Sequence, residues 1–141
     1  MKLEDLNRYS PALLRLAISA VFLWFGFSQI KNPDAWTGMI PNYVQSLIHL
    51  SSKTLVYLNG AFEITFAILL LLGLFTRFVS LVLSLHLLHI VTIIGYDPVG
   101  VRDFALALAT LAIFLHGPDE FCLGGVRLKE KEEKRESTPN Y

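Results

Sequence analysis

Four long apolar runs most constrain what this chain can fold into; they occupy residues 11–30, 55–75, 78–94 and 101–115. The second run would extend roughly 31 Å as a helix, close to the ~30 Å hydrocarbon core of a bilayer. The third and fourth runs are shorter than an average span. Each run is expected to be a helix, because an open strand edge in lipid leaves backbone groups unpaired. The predicted fold is all-α: an integral-membrane, four-helix antiparallel bundle.

Composition supports this class and excludes others. Hydrophobic residues make up 53% of the chain and charged residues 17%, whereas soluble domains carry about 25% charged residues. Nine of the charged residues lie between Arg127 and Glu136, so the rest of the chain is more apolar still. A net charge of zero offers no basic surface for nucleic acid. The single cysteine, Cys122, excludes a disulfide framework and a CxxC motif.

The connections between the runs define the expected topology. Only residues 76–77 separate the second run from the third, which predicts an antiparallel hairpin. Residues 31–54 are long for a bundle connection, and their second half is expected to form a short interfacial helix that caps one end of the bundle. The predicted membrane domain covers residues 1–125. Residues 126–141 form a charged tail with no apolar period, which is expected to be disordered and cytoplasmic.

Lysine and arginine placement predicts the orientation. Nine of these residues fall on the side of the N-terminus, the Arg77 turn and the tail, and three fall on the other side. The positive-inside rule then places both termini in the cytoplasm, in the cell (inner) membrane, and the cap outside. The first run is expected to remain as a helix and not to be a cleaved signal peptide, because it contains Arg15 and follows Glu4 and Asp5.

Glu63 is the most constrained ionisable residue. It lies eight residues into the second run, ~12 Å from the boundary at the helical rise, too deep for its short side chain to reach water. It must face the bundle interior, either protonated or paired. Asn59 lies one turn earlier on the same face. Two interpretations stay open: a structural buried pair, or a site for a ligand, a proton or an ion.

His86 and His89 lie one turn apart on the third run. This spacing occurs in buried metal sites of helical bundles, but the chain has no Glu-x-x-His repeat. Two histidines on one face also cannot supply both axial ligands of a haem. We therefore expect hydrogen bonding between helices by neutral histidines, and neither a metal nor a haem.

Arg102 and Asp103 open the fourth run, where an aspartate at a helix start and an arginine at a membrane boundary are both ordinary. These two residues are candidates for a site because of how deep in the membrane they lie. Together with these two residues, the outer half of the membrane collects Gln29, Asn59, Glu63, His89 and Tyr96. An ion pair between Arg102 and Glu63 would explain how both charges are kept there.

The first run carries further candidates. Arg15 lies about one turn inside the run, where it can snorkel to the headgroups or form a structural ion pair. Ser19 and Gly26 continue the helix face of Arg15 toward Gln29, which predicts that small residues on this face pack closely against another helix. Trp24 is typical of the aromatic belt at a membrane surface, or of the wall of a slot for a flat ring. On the fourth run, a stripe of alanines is expected to form a second seam, at Ala105, Ala109 and Ala112.

Short motifs follow one another in a recognisable order: Leu14-Arg15-Leu16, Phe22-Leu23-Trp24-Phe25-Gly26, Asn32-Pro33 with Trp36, Glu63, Gly73-Leu74-Phe75-Thr76-Arg77, Val101-Arg102-Asp103 and Gly117-Pro118. From residue 14 to 123 the chain resembles the DoxX family of small four-helix membrane proteins. It departs from the family pattern at Gln29, where relatives often have a lysine, and at Cys122 and Gly124, where a Ser-Leu-Asp ending is common.

The resemblance implies a membrane subunit in sulfur or redox metabolism. Relatives include the DoxD subunit of thiosulfate:quinone oxidoreductase, and other members are linked to oxidative and thiol stress. It also makes Arg15, Glu63 and Arg102 candidates for contacts to a quinone headgroup or a proton. The chain carries no flavin, iron–sulfur or dithiol motif, so a redox role requires a protein partner, and a homo-oligomer is the other assembly expected in the bilayer.

The function hypotheses from sequence are therefore a subunit of a quinone-linked redox complex, a non-enzymatic membrane scaffold and a small-molecule transporter. No catalytic residue is assigned. The candidate site for a quinone, an anion or a proton comprises Glu63, Asn59, His89, Arg102 and Asp103, with Arg15, Gln29, His86 and Trp24 as secondary candidates.

Overall fold

The computed structural model describes residues 8–124, and within them all regular structure is helical. The α-helices are α1 (Ser10–Lys31), α2 (Asn42–Ile48), α3 (Ser52–Leu71), α4 (Thr76–Ile94) and α5 (Pro98–His116), and two 3₁₀ turns lie at Pro33–Ala35 and Thr37–Met39. α1, α3, α4 and α5 are each long and apolar enough to cross a membrane. The predicted all-α fold with four spans is confirmed. The predicted tail, residues 126–141, lies outside the described residues.

The helix boundaries differ from the apolar runs because polar caps decide them. Ser51 caps α3, with its hydroxyl accepting a hydrogen bond from the Thr54 N–H, so the helix begins three residues before the run. Asp97 caps α5 in the same way through the Gly100 N–H, with Pro98 in the first turn. α3 ends at Leu71, and Gly73 and Phe75 then take left-handed backbone conformations in the turn to α4.

The four long helices form an antiparallel bundle built from two closely packed pairs. α1 packs most extensively on α3, and α4 on α5, whereas the contacts of α1 with α5 and of α3 with α4 are fewer. The hydrophobic core fills the space among them: Ile18, Phe22, Ala67, Leu70, Val79, Leu83, Leu87, Ala107 and Ile113. We call the end with residues 32–51 and 95–97 the cap end, and the end with residues 72–75 and 117–124 the turn end.

Two glycines bring α1 and α3 together. A Cβ atom on Gly26 would lie 2.8 Å from the carbonyl oxygen of Gly60, and a Cβ on Gly60 would lie 2.9 Å from the carbonyl oxygen of Gly26. Such close backbone approach needs small residues on both helices. The predicted small-residue face of α1 is therefore packed, with Arg15, Ser19, Gly26 and Gln29 all buried along it.

The seam predicted on the last helix is wrong. Ala105 and Ala112 are exposed, and Ala109 is half-buried. The buried face of α5 instead carries Gly100, Asp103, Ala107, Thr110 and Ile113. Both faces are apolar and contain small residues at helical spacing, so the pattern along the sequence does not separate them.

The long connection after α1 caps the bundle, and α2 lies in the half where a short helix is expected. The Trp36 ring meets Phe25 of α1 edge-on, with ring centroids 5.7 Å apart. Ile40 and Val44 face the interior of the cap end. The connection therefore closes the top of the space between the two helix pairs.

Candidate functional site

A cavity of about 260 Å³ lies in the cap half of the bundle, between the α1–α3 pair and the α4–α5 pair. Its walls are largely aliphatic and aromatic, with a small group of polar side chains, the composition typical of small-molecule sites. Most of the residues singled out by sequence line it: Glu63, Asn59, His89, Arg102 and Asp103, together with Gln29 and His86. The looser packing between the pairs explains why the space is there and not within a pair.

Glu63 is the centre of the polar group. Its side chain is buried, and both carboxylate oxygens accept hydrogen bonds. Gln29 Nε2 donates to Oε2 at 2.9 Å, and Asn59 Nδ2 donates to Oε1 at 3.0 Å. Asn59 Nδ2 also lies 2.8 Å from Gln29 Oε1. Gly26 lies one turn before Gln29, and Gly60 lies between Asn59 and Glu63. Their close approach brings the last turns of α1 near enough to α3 for these bonds.

Among the residues that the structure describes, His86 carries the one buried side-chain nitrogen or oxygen atom that makes no hydrogen bond. Its Nε2 is buried, has no hydrogen-bond partner among the described residues, and lies 3.5 Å from Glu63 Oε1. The Phe62 ring covers one side of the imidazole, with centroids 4.8 Å apart. A buried polar atom without a partner costs about 1–3 kcal/mol. The site therefore presents an unsatisfied nitrogen beside a carboxylate, inside an apolar cavity.

The ion pair expected between Arg102 and Glu63 is not formed. Arg102 Nε instead donates to Oδ1 of the adjacent Asp103 at 2.8 Å, and its guanidinium carbon lies 4.8 Å from the centre of the Phe25 ring. Glu63 has amide donors on α1 and on its own helix, so it does not need the arginine. Arg102 is partly exposed at the cavity edge.

The structure changes the ranking of the candidates. Gln29 and His86, secondary by sequence, contact Glu63 directly, whereas His89 is exposed and lies at the cavity edge. Tyr96, expected at the same depth, is fully exposed and does not line the cavity. Helical spacing alone places both histidines on one side of α4, and only the packing against α3 selects His86.

Trp24 does not enter the cavity. Its side chain is 64% exposed on the outer surface of α1, and it meets Phe25 edge-on with centroids 5.1 Å apart. Among residues 8–124, no group of three histidine, cysteine or acidic side chains is placed to hold a metal ion.

Arg15 lies at the turn end, away from the cavity, and does not snorkel. Its Nε is 2.7 Å from Asp119 Oδ2, and both side chains are only 3% exposed. Its Nη1 donates to the carbonyl oxygens of Leu70 and Leu71 at the end of α3. Arg15 is thus the structural ion pair that was the alternative to snorkelling, and it also satisfies the last carbonyls of a helix.

Asp119 is the partner that the sequence analysis does not identify, because it lies beyond the last apolar run and 104 residues from Arg15. Instead, this segment folds back across the turn end. The Leu123 N–H and the Gly124 N–H donate to the carbonyl oxygens of Leu72 and Gly73. A search for acids at the same end of the bundle as Arg15 would have included Asp119, but also the adjacent Glu120, which pairs with Arg8.

The environment of Asp119 makes its stability contribution dependent on pH. Burial by itself raises its pKa, but the hydrogen bonds from Arg15 and from the Phe121 N–H, with the charge of Arg15, outweigh burial and place the pKa below its ordinary value of 3.8. A lowered pKa means that the stabilisation is fully present above the ordinary value and is lost as the pH falls through the lowered one.

We therefore expect Asp119→Asn to be less stable than the unsubstituted protein at pH 7 by about 1.5–3 kcal/mol, the worth of hydrogen bonds to a charged group. The difference should persist to about pH 5 and shrink below about pH 4. Thermal unfolding of both proteins in the same detergent, across this pH series, measures the difference. A gap that stays constant down to pH 3 would contradict the assignment.

The comparisons with known proteins agree with the fold. The family model DoxX matches residues 10–95, which contain α1 to α4. α5, with Arg102 and Asp103, lies beyond the matched range. No curated protein and no solved structure gives a match. The match covers more than half of the chain and the same residues form the membrane helices, so the chain belongs to the DoxX family of membrane proteins.

Proposed function

We propose that this protein is the membrane subunit of a redox complex and that its cavity binds the headgroup of a quinone. The complex would act in quinone-linked sulfur (thiosulfate) oxidation or in the response to oxidative or thiol stress, as the family resemblance implies. The observation that carries the proposal is His86 Nε2, buried and unpartnered beside Glu63 in a largely apolar cavity at membrane depth.

The chemistry of a quinone fits these groups. A quinone carbonyl oxygen is a hydrogen-bond acceptor, and His86 Nε2 can donate to it. Reduction to the quinol takes up two electrons and two protons. Glu63 and His86, with Oε1 and Nε2 3.5 Å apart, can pass a proton between them and to the ligand. The electrons come from the oxidation of the sulfur or thiol substrate on a partner protein.

The remaining polar groups surround the headgroup position. Gln29 and Asn59 hold the Glu63 carboxylate in place, as supporting hydrogen bonds do in preorganised sites. His89, Arg102 and Asp103 line the cavity edge. With the orientation favoured by the positive-inside rule, both termini are cytoplasmic and the cavity lies in the outer leaflet of the cell membrane.

A scaffold role has one observation in its favour. Gln29, Asn59 and Glu63 satisfy one another, and such a buried network can fix the register of α1 against α3 without any ligand. The unpartnered His86 and the open cavity have no use in that role. Ligand binding therefore separates the two functions.

The test is quinone binding by the purified protein in lipid nanodiscs. We expect menaquinone or ubiquinone to bind, and His86→Phe to weaken binding about tenfold, since it removes a hydrogen bond while keeping the ring volume. Binding is measured by the change in tryptophan fluorescence, because Trp36 lines the cavity. His116→Phe is the matched control, since His116 is exposed at the far end of α5 and its loss should leave the affinity unchanged.

If neither quinone binds, or if His86→Phe and His116→Phe bind with equal affinity, the cavity is not a quinone site, and the scaffold role is favoured. Co-purification from the native membrane, followed by identification of the retained proteins, then tests for the redox partner. A protein recovered alone from mild detergent would contradict the complex.

A further inference from the structure

The size of the cavity limits which part of a quinone it can hold. An engineered protein cavity of about 150 Å³ takes up one benzene molecule. By that measure, a cavity of about 260 Å³ holds a headgroup of one or two rings but no long hydrocarbon tail. Membrane quinones carry such a tail, so a bound headgroup requires a route by which the tail leaves the bundle.

A surface groove between α1 and α5 lies next to the cavity. It is lined by Val21, Trp24, Phe25, Arg102 and Leu106. All of these except Trp24 also line the cavity. The two spaces are therefore separated only by side chains that face both.

Two of the four side chains that face both spaces, Phe25 and Arg102, contact each other. The guanidinium carbon lies 4.8 Å from the ring centre, and Arg102 is held at one edge by Asp103. Trp24 and Arg102 are exposed, so the groove opens on the outside of the bundle. A cation–ring contact of this kind at an exposed position contributes about as much as a weak hydrogen bond, so little energy opposes the rotation of either side chain.

The groove lies at the depth of the hydrocarbon core of the bilayer and not at the depth of the lipid headgroups. Leu106 lies eight residues after the start of α5, ~12 Å along the helix. Met39 and Val44, of the cap segment, line the cavity toward the water interface. A tail directed past them would end in water, whereas a hydrocarbon tail is stable in the core of the bilayer.

We infer that the α1–α5 groove holds the hydrocarbon tail of the cavity ligand, which enters and leaves laterally from the bilayer between Phe25 and Arg102. This inference rests on the proposed function and names its substrate class more closely: a lipid-tailed quinone and not a soluble ring compound. The apolar groove wall supplies the tail contacts, and the polar group at Glu63 supplies those of the headgroup.

The experiment compares two probes: menaquinone with its full isoprenoid tail, and 2-methyl-1,4-naphthoquinone, which has the same rings and no tail. Trp24→Ala removes a wall of the groove without touching the cavity, because Trp24 lines the groove and does not line the cavity. Phe27→Ala is the matched control, because Phe27 is exposed on α1 and lines neither space. We expect Trp24→Ala to weaken binding of the tailed probe about tenfold and to leave the tailless probe unchanged, with no effect of Phe27→Ala on either.

A second measurement does not depend on how the variant folds. A menaquinone analogue with a photoreactive diazirine on the first tail unit, bound to the unsubstituted protein, should label Trp24 or Leu106. Labelling of Met39 or Val44 would overturn the inference, because the tail would then leave under the cap. Absence of label from all four residues would also overturn it, and would leave the groove to a lipid acyl chain.

The binding outcomes separate the two proposals. If both probes bind and Trp24→Ala weakens neither or weakens both alike, the tail route is wrong and the headgroup site stands. If neither probe binds to the unsubstituted protein, the proposed function fails, and the tail route fails with it.

Discussion

Arg15→Ala is expected to destabilise the folded protein by about 3–5 kcal/mol, the cost of removing one partner of a buried ion pair. The substitution leaves the Asp119 carboxylate buried without its cation, and it removes the donor to the carbonyl oxygens of Leu70 and Leu71. α3 loses the group that satisfies its last turn, and the segment after α5 loses its anchor. Thermal unfolding and resistance to sodium dodecyl sulfate, both in one mild detergent, measure the loss.

The matched control is Arg8→Ala. Arg8 also pairs with an acid of the same segment, Glu120, at 2.8 Å, but both side chains are about half exposed. Exposed pairs contribute about 0–1 kcal/mol. Equal destabilisation by the two substitutions would mean that the Arg15 pair is not buried as described.

The coupling of the pair can be measured directly. The double variant Arg15→Ala with Asp119→Ala should be less destabilised than the sum of the two single variants, because it leaves no unpaired charge. Strict additivity would show that the two residues act independently.

Gly26→Leu is expected to cost about 1–3 kcal/mol or more, because overpacking forces a packed interface apart. The first atom of the new side chain would already lie 2.6 Å from Ile64 Cγ1 and 2.8 Å from the Gly60 carbonyl oxygen. The backbone oxygen cannot move aside as a flexible side chain can, so α1 and α3 must separate. The Gln29–Glu63 hydrogen bond, one turn along, should then lengthen or break.

Gly38→Leu is the control for this change, since a Cβ at Gly38 would have no neighbour within 4 Å. Thermal unfolding compares the two variants, and quinone binding reports on the Glu63 group. If Gly26→Leu unfolds at the same temperature as Gly38→Leu, the close approach of α1 and α3 is not as described.

The sequence predicts how deep in the membrane the residues of the candidate site lie, but not which of them contact one another. Glu63 was identifiable because a short acid deep in an apolar run must face the bundle interior. Asn59 was identifiable as its neighbour one turn earlier on the same helix. The partners on other helices were not, because Gln29, His89 and Arg102 all lie at the same depth and hydropathy does not distinguish them. The structure selects Gln29 and His86 by bringing α1 close through Gly26 and by turning one side of α4 toward α3.

The turn end shows the same limit more strongly. The sequence leaves open whether Arg15 snorkels or is paired, and its counterpart is 104 residues away in a polar segment. A pairing over that distance leaves no periodic pattern, because it depends on how the last segment folds back onto the bundle. The predicted packing seam of alanines on α5 is wrong for a related reason, since apolar and small residues occur on both faces of that helix.

The sequence by itself determined that this chain crosses a membrane with four helices, that a short helix follows the first, and that its few buried charges need partners. Those properties follow from length, hydropathy and the cost of charge in lipid, which are local. Only the tertiary structure decided which residues of different segments meet: Gln29 and His86 around Glu63, Asp119 with Arg15, and Phe25 with Arg102. In a chain that is apolar on every helix face, only the packing of side chain against side chain decides which faces turn inward.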